Sequence, residues 1–264
     1  LMKANDRLSV EAIRPFLSFP DVYIKVYQEV DSTNRAAKAA AVTGEAGHGS
    51  FVLAGCQTEG RGRRGRSFYS PQDAGIYLSV VLEPKGSLQE SLLLTAEAAV
   101  AVYKAVKKVT GIDLDIKWVN DLYHNGKKVC GILTEAVTDF ESGNIEFAVV
   151  GIGLNIFEAA EGYPEAIKGI AGGIYESREA AGELERSRLA AEIVNALLEE
   201  TKELRLPPEY IEHNIVPGRE ICISDGDKVR SAKALEICPD GRLKVKEADG
   251  SLSVLSYGEV SIII

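Results

Sequence analysis

Apolar and polar residues alternate along the chain with two periods, that of a strand and that of a helix. Strand-like alternation or a short apolar run occurs at residues 23–30, 51–56, 76–83, 114–118, 127–136 and 145–152. The helical period predicts helices at residues 8–19, with an interruption near Pro15, and at 35–42, 88–109, about 185–205 and 207–214. Asn125-Gly126 is a two-residue turn signal, so it predicts a hairpin between strands 114–118 and 127–136.

The pattern changes after Val216-Pro217-Gly218. From there the chain alternates in short strands, at residues 219–224, 228–237, 242–247, 252–256 and 259–263. Asp-Gly turns separate most of these strands. The segment therefore predicts a small β-barrel domain. Upstream of it, residues 157–182 are glycine-rich and follow neither period.

Composition narrows the class of protein. The chain has 264 residues, 45 % of them hydrophobic and 26 % charged, which is ordinary for a globular protein of one or two domains. No run approaches the roughly 20 apolar residues that span a bilayer, and the N-terminus has no signal-peptide core, so we expect a cytoplasmic location. The four cysteines have no metal-ligand spacing, so we expect reduced thiols and no metal site: Cys56, Cys130, Cys222 and Cys238.

Charge is negative overall and positive in one place. The net charge of −9 argues against nucleic-acid binding by this chain alone. Against that background, Gly60-Arg61-Gly62-Arg63-Arg64-Gly65-Arg66 carries four arginines between three glycines; we call residues 60–66 the arginine–glycine loop. It matches G-x-G-x-x-G formally, but the next residues, Ser67–Pro71, predict a loop rather than the helix that a dinucleotide site needs. Glycine lets backbone N–H groups converge on an anion and arginine binds phosphate, so this loop is a candidate anion site.

Three other segments carry candidate chemistry, although each has an ordinary structural explanation. Lys117 is flanked by Ile116 and Trp118, so it is either a shielded cation that faces an anion or a surface lysine whose stem lies on apolar groups. The segments 131–135 and 151–156 combine strand residues with glycine. Glycine in a strand indicates either close approach of a ligand or a β-bulge.

Taken together, these motifs resemble those of the biotin–protein ligases over nearly the whole chain. The matching residues occur in the family's order and at its spacing: Asp31-Ser32-Thr33-Asn34, Gln57, the arginine–glycine loop, Lys117-Trp118-x-Asn120-Asp121, Gly131-Ile132-Leu133 and Gly151-x-Gly153-x-Asn155. The resemblance implies an α+β fold with a mixed, largely antiparallel sheet flanked by helices and a C-terminal SH3-like β-barrel. It implies three parts: an N-terminal linker or short helix at 1–20, a catalytic domain at 21–215 and the SH3-like domain at 216–264.

The same resemblance implies an activity and its partners. The enzyme would use ATP, with Mg²⁺, to convert biotin to biotinyl-5′-AMP and would then transfer biotin to a lysine of a biotin carboxyl carrier protein. Homodimerisation is a further expectation. Two alternatives remain open at this stage: a lipoate or octanoate ligase or transferase, and a fragment of a biotin-responsive repressor that lacks its helix-turn-helix. Residues 1–17 resemble the linker that follows such a DNA-binding domain.

Roles carried over from the resemblance define the expected site. Ser32, Thr33, Asn34 and Gln57 would bind the ureido ring of biotin. Gly60, Arg61, Gly62, Arg63 and Arg66 would close over biotin and the adenylate phosphate. Lys117 would lie near the biotin carboxylate and the α-phosphate, so Arg63 and Lys117 are the expected catalytic residues. Gly131 and Leu133 would line the apolar slot, Asn155 would approach the adenylate or the triphosphate with its metal, and Gly151 would be a further residue that binds biotin or the adenylate.

Two positions depart from the family pattern. Phe68 stands where many members have tryptophan, so any stacking on adenine would use a smaller ring. Val119 stands where proline is common after Trp118, so we expect a looser turn there.

Overall fold

The computed structural model describes residues 6, 8–19, 21–84, 91–139, 144–225, 228–256 and 259–263. The helices are α1 (Val10–Ile13), α2 (Thr33–Val42), α3 (Ser91–Thr110), α4 (Arg186–Glu200) and α5 (Pro208–Glu212). The strands of the larger sheet are β1 (Ile24–Tyr27), β2 (Phe51–Ala54), β3 (Gly75–Leu82), β4 (Asp115–Lys117), β5 (Asp121–His124), β6 (Lys127–Thr138) and β7 (Ile145–Asn155). Short 3₁₀ turns follow at Arg14–Phe16 and Arg63–Gly65.

The larger sheet has seven strands in the order β1-β2-β3-β7-β6-β5-β4. Only β1 and β2 run parallel; the other neighbouring pairs are antiparallel. The expectation of a mixed, largely antiparallel sheet flanked by helices is confirmed.

Alternation along the central strands separates two cores. On one face of the sheet, Leu78 of β3 and Val150 of β7 belong to the main core, which also includes apolar residues of α3 and α4. On the other face, Val81 and Val149 pack against Ala37 of α2 in a smaller cluster. Because α2 covers only one end of that second face, the rest of it is open to form a site.

The C-terminal strands form a second sheet. They are β8 (Glu220–Asp225), β9 (Lys228–Ile237), β10 (Leu243–Glu247), β11 (Leu252–Leu255) and β12 (Glu259–Ile262). All the neighbouring pairs are antiparallel, in the order β11-β10-β9-β8-β12. The five predicted C-terminal strands are therefore confirmed, whereas the boundaries at residues 20 and 215 stay predictions.

The predicted hairpin has a different first strand in the structure. The Asn125-Gly126 turn joins β5 to β6, and the strand at 115–117 pairs with β5 instead. Residues 121–124 form the missing strand because their backbone pairs on both sides, although the flanking Asn120-Asp121 is typical of a turn.

Some helix boundaries differ from the prediction. α2 begins at Thr33, so Thr33 and Asn34 lie in its first turn rather than before it. α4 ends at Glu200, five residues before the predicted end. Residues 88–90 of the predicted helix 88–109 lie outside the described residues. Within the described part of the chain, no helix is long and apolar enough to cross a membrane.

Candidate active site

A cavity of about 580 Å³ opens on the uncovered face of the larger sheet; we call it the main cavity. It lies between strands β6 and β7, the arginine–glycine loop, the turn at 117–121 and strand β12. Most residues predicted for the site line it: Thr33, Asn34, Gln57, Arg61, Gly62, Arg63, Arg66, Phe68, Lys117, Gly131, Leu133 and Gly151. Distant segments of the sequence therefore meet around one space.

The other three predicted residues, Ser32, Gly60 and Asn155, do not line the cavity. Ser32 is buried and caps the start of α2 with an extended backbone. A Cβ on Gly60 would lie 2.2 Å from the carbonyl oxygen of Phe68. Asn155 is buried and its Nδ2 donates to the carbonyl of Gly172 at 3.2 Å.

One end of the cavity is a network of neutral polar groups. Gln57 Oε1 accepts from Thr33 N at 2.9 Å and from Thr33 Oγ1 at 3.0 Å. The hydroxyl of Ser79, on β3, lies 2.8 Å from Thr33 Oγ1 and 2.6 Å from Asn34 Oδ1. Gln57 Nε2 donates to Ser70 Oγ at 2.8 Å. Because neighbouring groups fix each amide, the network presents donors and acceptors in defined directions.

The register of the sheet produces a floor without side chains. Gly153 of β7 is opposite Gly131 of β6, and Gly151 is opposite Leu133. A Cβ on Gly151 would lie 2.1 Å from Asn34 Oδ1, and a Cβ on Gly153 would lie 2.4 Å from the ring of Phe68. Larger residues here would displace Asn34 and Phe68, so the glycines let these two side chains lie close against the strands.

The arginine–glycine loop folds over this floor. Arg63–Gly65 form a 3₁₀ turn in which Arg64 and Gly65 have positive φ, 56° and 76°. Three of its arginines reach three different walls: Arg61 Nη1 pairs with Glu135 Oε1 on β6 at 3.0 Å, Arg63 Nη1 donates to Asn120 Oδ1 at 3.4 Å, and Arg64 Nη1 donates to the carbonyl of Ser224 on β8 at 3.4 Å. The loop thus brings Arg63 to the turn at 117–121, whereas Arg61, through Glu135, lies beside the neutral network.

Burial shapes the chemistry of one of these arginines. It lowers the pKa of the Arg63 guanidinium below its usual range, while the Asp121 carboxylate acts in the opposite direction. The guanidinium nevertheless stays charged because its ordinary pKa is far above neutrality. A partly buried cation gains from an anionic ligand, which replaces the water that it has lost.

These features can be compared with known proteins. Residues 26–155 match the model of the biotin/lipoate A/B protein ligase family. The bifunctional ligase/repressor BirA of Bacillus spizizenii is 32 % identical over an alignment of 243 positions, which covers 88 % of this chain and 72 % of that protein. This chain belongs to the biotin–protein ligase family. The biotin–[acetyl-CoA-carboxylase] ligase of Mycobacterium tuberculosis is 29 % identical, over 90 % of this chain and 88 % of that one.

A solved ligase structure has the same architecture. The biotin protein ligase from Aquifex aeolicus in complex with biotin and ATP superposes on this chain with a TM-score of 0.72 and 25 % identity. The match covers 91 % of this chain and 98 % of the Aquifex chain. Family membership and the α+β fold class are therefore supported by both sequence and structure.

Within this ligase, sequence analysis missed a second lysine of the cavity. Lys117 Nζ lies 3.5 Å from Tyr123 Oη and 5.3 Å from the centre of its ring. Lys128 also lines the cavity, and a Cβ on Gly131 would lie 3.3 Å from its Nζ. A bulge explains this position: Leu122 is opposite Cys130 and Tyr123 is opposite Lys128, so Val129 is the extra residue. The bulge turns Lys128 to the cavity face.

Three further contributions to the cavity were also missed. Glu135 contacts both the loop and the neutral network. Ile167, Gly169 and Ile170 come from the irregular segment, and Val260, Ser261 and Ile262 come from the C-terminal sheet. No local pattern marks them, since each reaches the site through tertiary packing.

The two departures from the family pattern have different outcomes. The phenyl ring of Phe68 lies over Gly131 and Gly153, so its stacking on adenine stays a prediction. The turn at Val119 is not loose, contrary to expectation. Trp118 and Val119 are each 3 % exposed, the Trp118 indole donates to the carbonyl of Gly241 at 2.9 Å, and Tyr210 Oη donates to the carbonyl of Val119 at 2.8 Å.

Proposed function

We propose that this chain is an ATP-dependent biotin–protein ligase. It joins the biotin carboxylate to AMP with release of pyrophosphate, and then passes the biotinyl group to a lysine amine with release of AMP. One observation carries the proposal: a single cavity has neutral hydrogen-bonding groups, strand glycines and, beside the turn at 117–121, a cationic end made of Arg63, Lys117 and Lys128. Biotin carries groups that match these, a neutral ureido ring, an apolar body and a terminal carboxylate.

The neutral end is suited to the ureido ring. A ureido group offers a carbonyl acceptor and two N–H donors, and the cavity offers hydroxyl and amide groups at Thr33, Asn34 and Gln57. A site built from neutral hydrogen-bonding groups rejects ligands that leave those groups unpaired. The thiophane ring and the valeryl chain would lie on Gly131, Leu133 and Gly151, and the carboxylate would point to the cationic end.

Activation needs positive charge more than it needs a nucleophile from the protein. The biotin carboxylate attacks the α-phosphorus of ATP, so two anions must approach each other. Arg61, Arg63, Lys117 and Lys128 offset that repulsion and the charge that develops on the phosphoryl oxygens. No covalent enzyme intermediate is required, so the residues act by positioning and by electrostatic stabilisation.

Magnesium belongs to the substrate in this proposal. ATP arrives as its Mg²⁺ complex, which neutralises part of the phosphate charge. In the described ranges, no group of three or more His, Cys, Asp or Glu is arranged to hold a metal ion. Asn155 was expected near the adenylate or the triphosphate with its metal, but its contact with Gly172 supports an indirect role in shaping the cavity.

The product of the first step must be protected. Biotinyl-adenylate is a mixed anhydride that water hydrolyses, and the arginine–glycine loop covers the cavity where it would lie. Excluding water preserves the anhydride until a neutral lysine amine attacks it. We assign no general base to that second step.

The partners follow from the same proposal. The acceptor is a lysine of a biotin carboxyl carrier protein, and the enzyme is expected in the cytoplasm. A homodimer stays a prediction; strands β1 and β4 are the two edges of the larger sheet through which it could form.

ATP–pyrophosphate exchange is the decisive test. We expect labelled pyrophosphate to enter ATP only when biotin is present, because the reversible step needs the biotin carboxylate. Lipoate is the matched control, since it has a similar chain and carboxylate but no ureido ring. Exchange that is equal with lipoate, or that proceeds without either acid, would overturn the assignment.

A further inference from the structure

Glu135 occupies a place in the site that the reaction described above does not use. It lies on β6 two residues beyond Leu133 and four beyond Gly131, so the alternation of a strand puts the three residues on one face. Its side chain is partly buried, with 27 % exposed. The carboxylate does not line the main cavity itself but lies next to the neutral network, where it contacts Asn34.

The carboxylate binds two different parts of the site. Oε2 accepts from Asn34 Nδ2 at 2.8 Å. Arg61 Nη1 contacts both oxygens, Oε1 at 3.0 Å and Oε2 at 3.4 Å. Asn34 and Arg61 are far apart in the sequence, and Glu135 is a direct link between the neutral network and the arginine–glycine loop.

We propose that Glu135 is a positioning residue that links biotin recognition at Asn34 to closure of the loop at Arg61. The proposal rests on the proposed ligase function. Through Oε2, Glu135 sets the direction of the Asn34 amide. Through its negative charge, it pairs with Arg61 and holds the loop over the adenylate.

Glu135 fixes the direction of the Asn34 side-chain amide. A carboxylate only accepts hydrogen bonds, so Glu135 can face only the Nδ2 end of Asn34. The Ser79 hydroxyl lies 2.6 Å from Asn34 Oδ1 and supports the same orientation. Without Glu135, the amide could rotate and offer biotin the wrong group.

Arg61 and Glu135 form a partly exposed ion pair. The side chains of Arg61 and Glu135 are 44 % and 27 % exposed, so solvent and salt screen their attraction. The pair is one of several contacts made by the loop arginines. Its loss should make the loop open more often without unfolding the site, which predicts a modest change in the rate of adenylate release.

Two substitutions separate the contact of Glu135 with Asn34 from its contact with Arg61. Glu135→Gln keeps a carbonyl oxygen that can accept from Asn34 but removes the charge that holds Arg61. Glu135→Ala removes both. Glu146→Gln is the matched control, because it neutralises an exposed carboxylate on the neighbouring strand β7. Arg61→Gln, alone and combined with Glu135→Gln, completes a double-mutant cycle.

Two measurements are made on the full chain: the dissociation constant of biotin, and the release rate of preformed labelled biotinyl-adenylate in a chase with unlabelled adenylate. We expect Glu135→Ala to weaken biotin binding by about tenfold and Glu135→Gln to restore it nearly to wild type. We expect Glu135→Gln to release adenylate about two- to fivefold faster, with a weaker salt dependence than wild type. In the Arg61→Gln background, Glu135→Gln should add nothing.

Other outcomes would overturn the inference. These are biotin binding by Glu135→Gln that is as weak as that of Glu135→Ala, adenylate release by Glu135→Gln at the wild-type or Glu146→Gln rate, and equal acceleration of release in the Arg61→Gln background. Each result contradicts one half of the proposed link. By contrast, a wild-type chain that forms no adenylate from biotin and ATP overturns the proposed function itself, which pyrophosphate exchange establishes before any variant is compared.

Discussion

The Lys128 ammonium group lies 2.6 Å from Asp121 Oδ1, across the bulge between β5 and β6. The carboxylate anchors the lysine, whose side chain crosses the floor above Gly131. A substrate carboxylate or phosphate entering that space would meet a cation already held in place. Such an arrangement needs little reorganisation during the reaction, which favours electrostatic catalysis.

Replacement of Lys128 should therefore impair the first step. We expect Lys128→Ala to lower the rate of biotin-dependent pyrophosphate exchange by about 10²–10³-fold, the usual scale for one electrostatic donor. Lys38→Ala, on the exposed side of α2, should leave the rate unchanged. Exchange at the wild-type rate in Lys128→Ala would remove this lysine from the mechanism.

Lys117 allows a second comparison. It lines the same cavity but lies against the Tyr123 ring rather than over the glycine floor. We expect Lys117→Ala also to slow pyrophosphate exchange by at least tenfold, because its charge faces the same anions. Measuring exchange at saturating biotin and ATP separates this effect from weaker binding. An unchanged rate under those conditions would contradict a role for Lys117.

Arg63 should act mainly after the adenylate has formed. Its partly buried guanidinium gains most from a phosphate held beneath the loop, so Arg63→Ala should release biotinyl-adenylate about 10–100-fold faster. The readout is the loss of labelled adenylate from purified protein. Arg219→Ala is the control, because Arg219 is exposed and outside the main cavity. Retention of adenylate as in wild type would show that the loop does not hold it through Arg63.

The glycine floor makes a steric prediction. In Gly151→Ala, the new methyl group would lie 2.1 Å from Asn34 Oδ1, so Asn34 must move and biotin affinity should fall by at least tenfold. Gly169→Ala is the control at the cavity rim, where nothing lies within 4 Å of the added Cβ. Calorimetric titration with biotin measures both variants. Equal affinities would mean that Asn34 moves without cost and that its position is not needed.

Some of this site could be predicted from the sequence because its signals are local. The arginine–glycine loop can be recognised from residue type and spacing alone. The glycines at 131, 151 and 153 mark a ligand or a bulge within single strands. Strand alternation likewise located most of the sheet, since one face of each strand is buried over a defined length.

The rest depends on contacts between distant segments. Lys128 reaches the cavity because a bulge at Val129 breaks the alternation, and a bulge has no reliable sequence signal. Glu135 could not be recognised as a link, because only the fold brings Asn34 and Arg61 into contact with it. The strand at 121–124 was missed because its partners on both sides, rather than its own residues, define it.

A buried carboxyl group outside the site predicts how stability changes with pH. Glu97 in α3 is fully buried. Its Oε1 accepts from Arg205 N at 2.9 Å, whereas Oε2 has no hydrogen-bond partner among the described residues. Burial raises the pKa of Glu97 from 4.5 to about 8; the Arg205 N–H opposes this shift and Glu200 adds to it.

The direction of the effect follows from proton binding. Below the unfolded pKa both states are protonated, and the contribution of Glu97 to stability is fully present. Between about pH 4.5 and 8 the unfolded carboxyl ionises while the folded one keeps its proton, so the free energy of unfolding falls by up to about 1.4 kcal/mol per pH unit. Glu97→Gln keeps an acceptor for Arg205 N but does not titrate. Urea unfolding at pH 5.5 and pH 8 should therefore show a decline in wild type and a smaller one in Glu97→Gln. Equal declines would place the pH dependence on other groups.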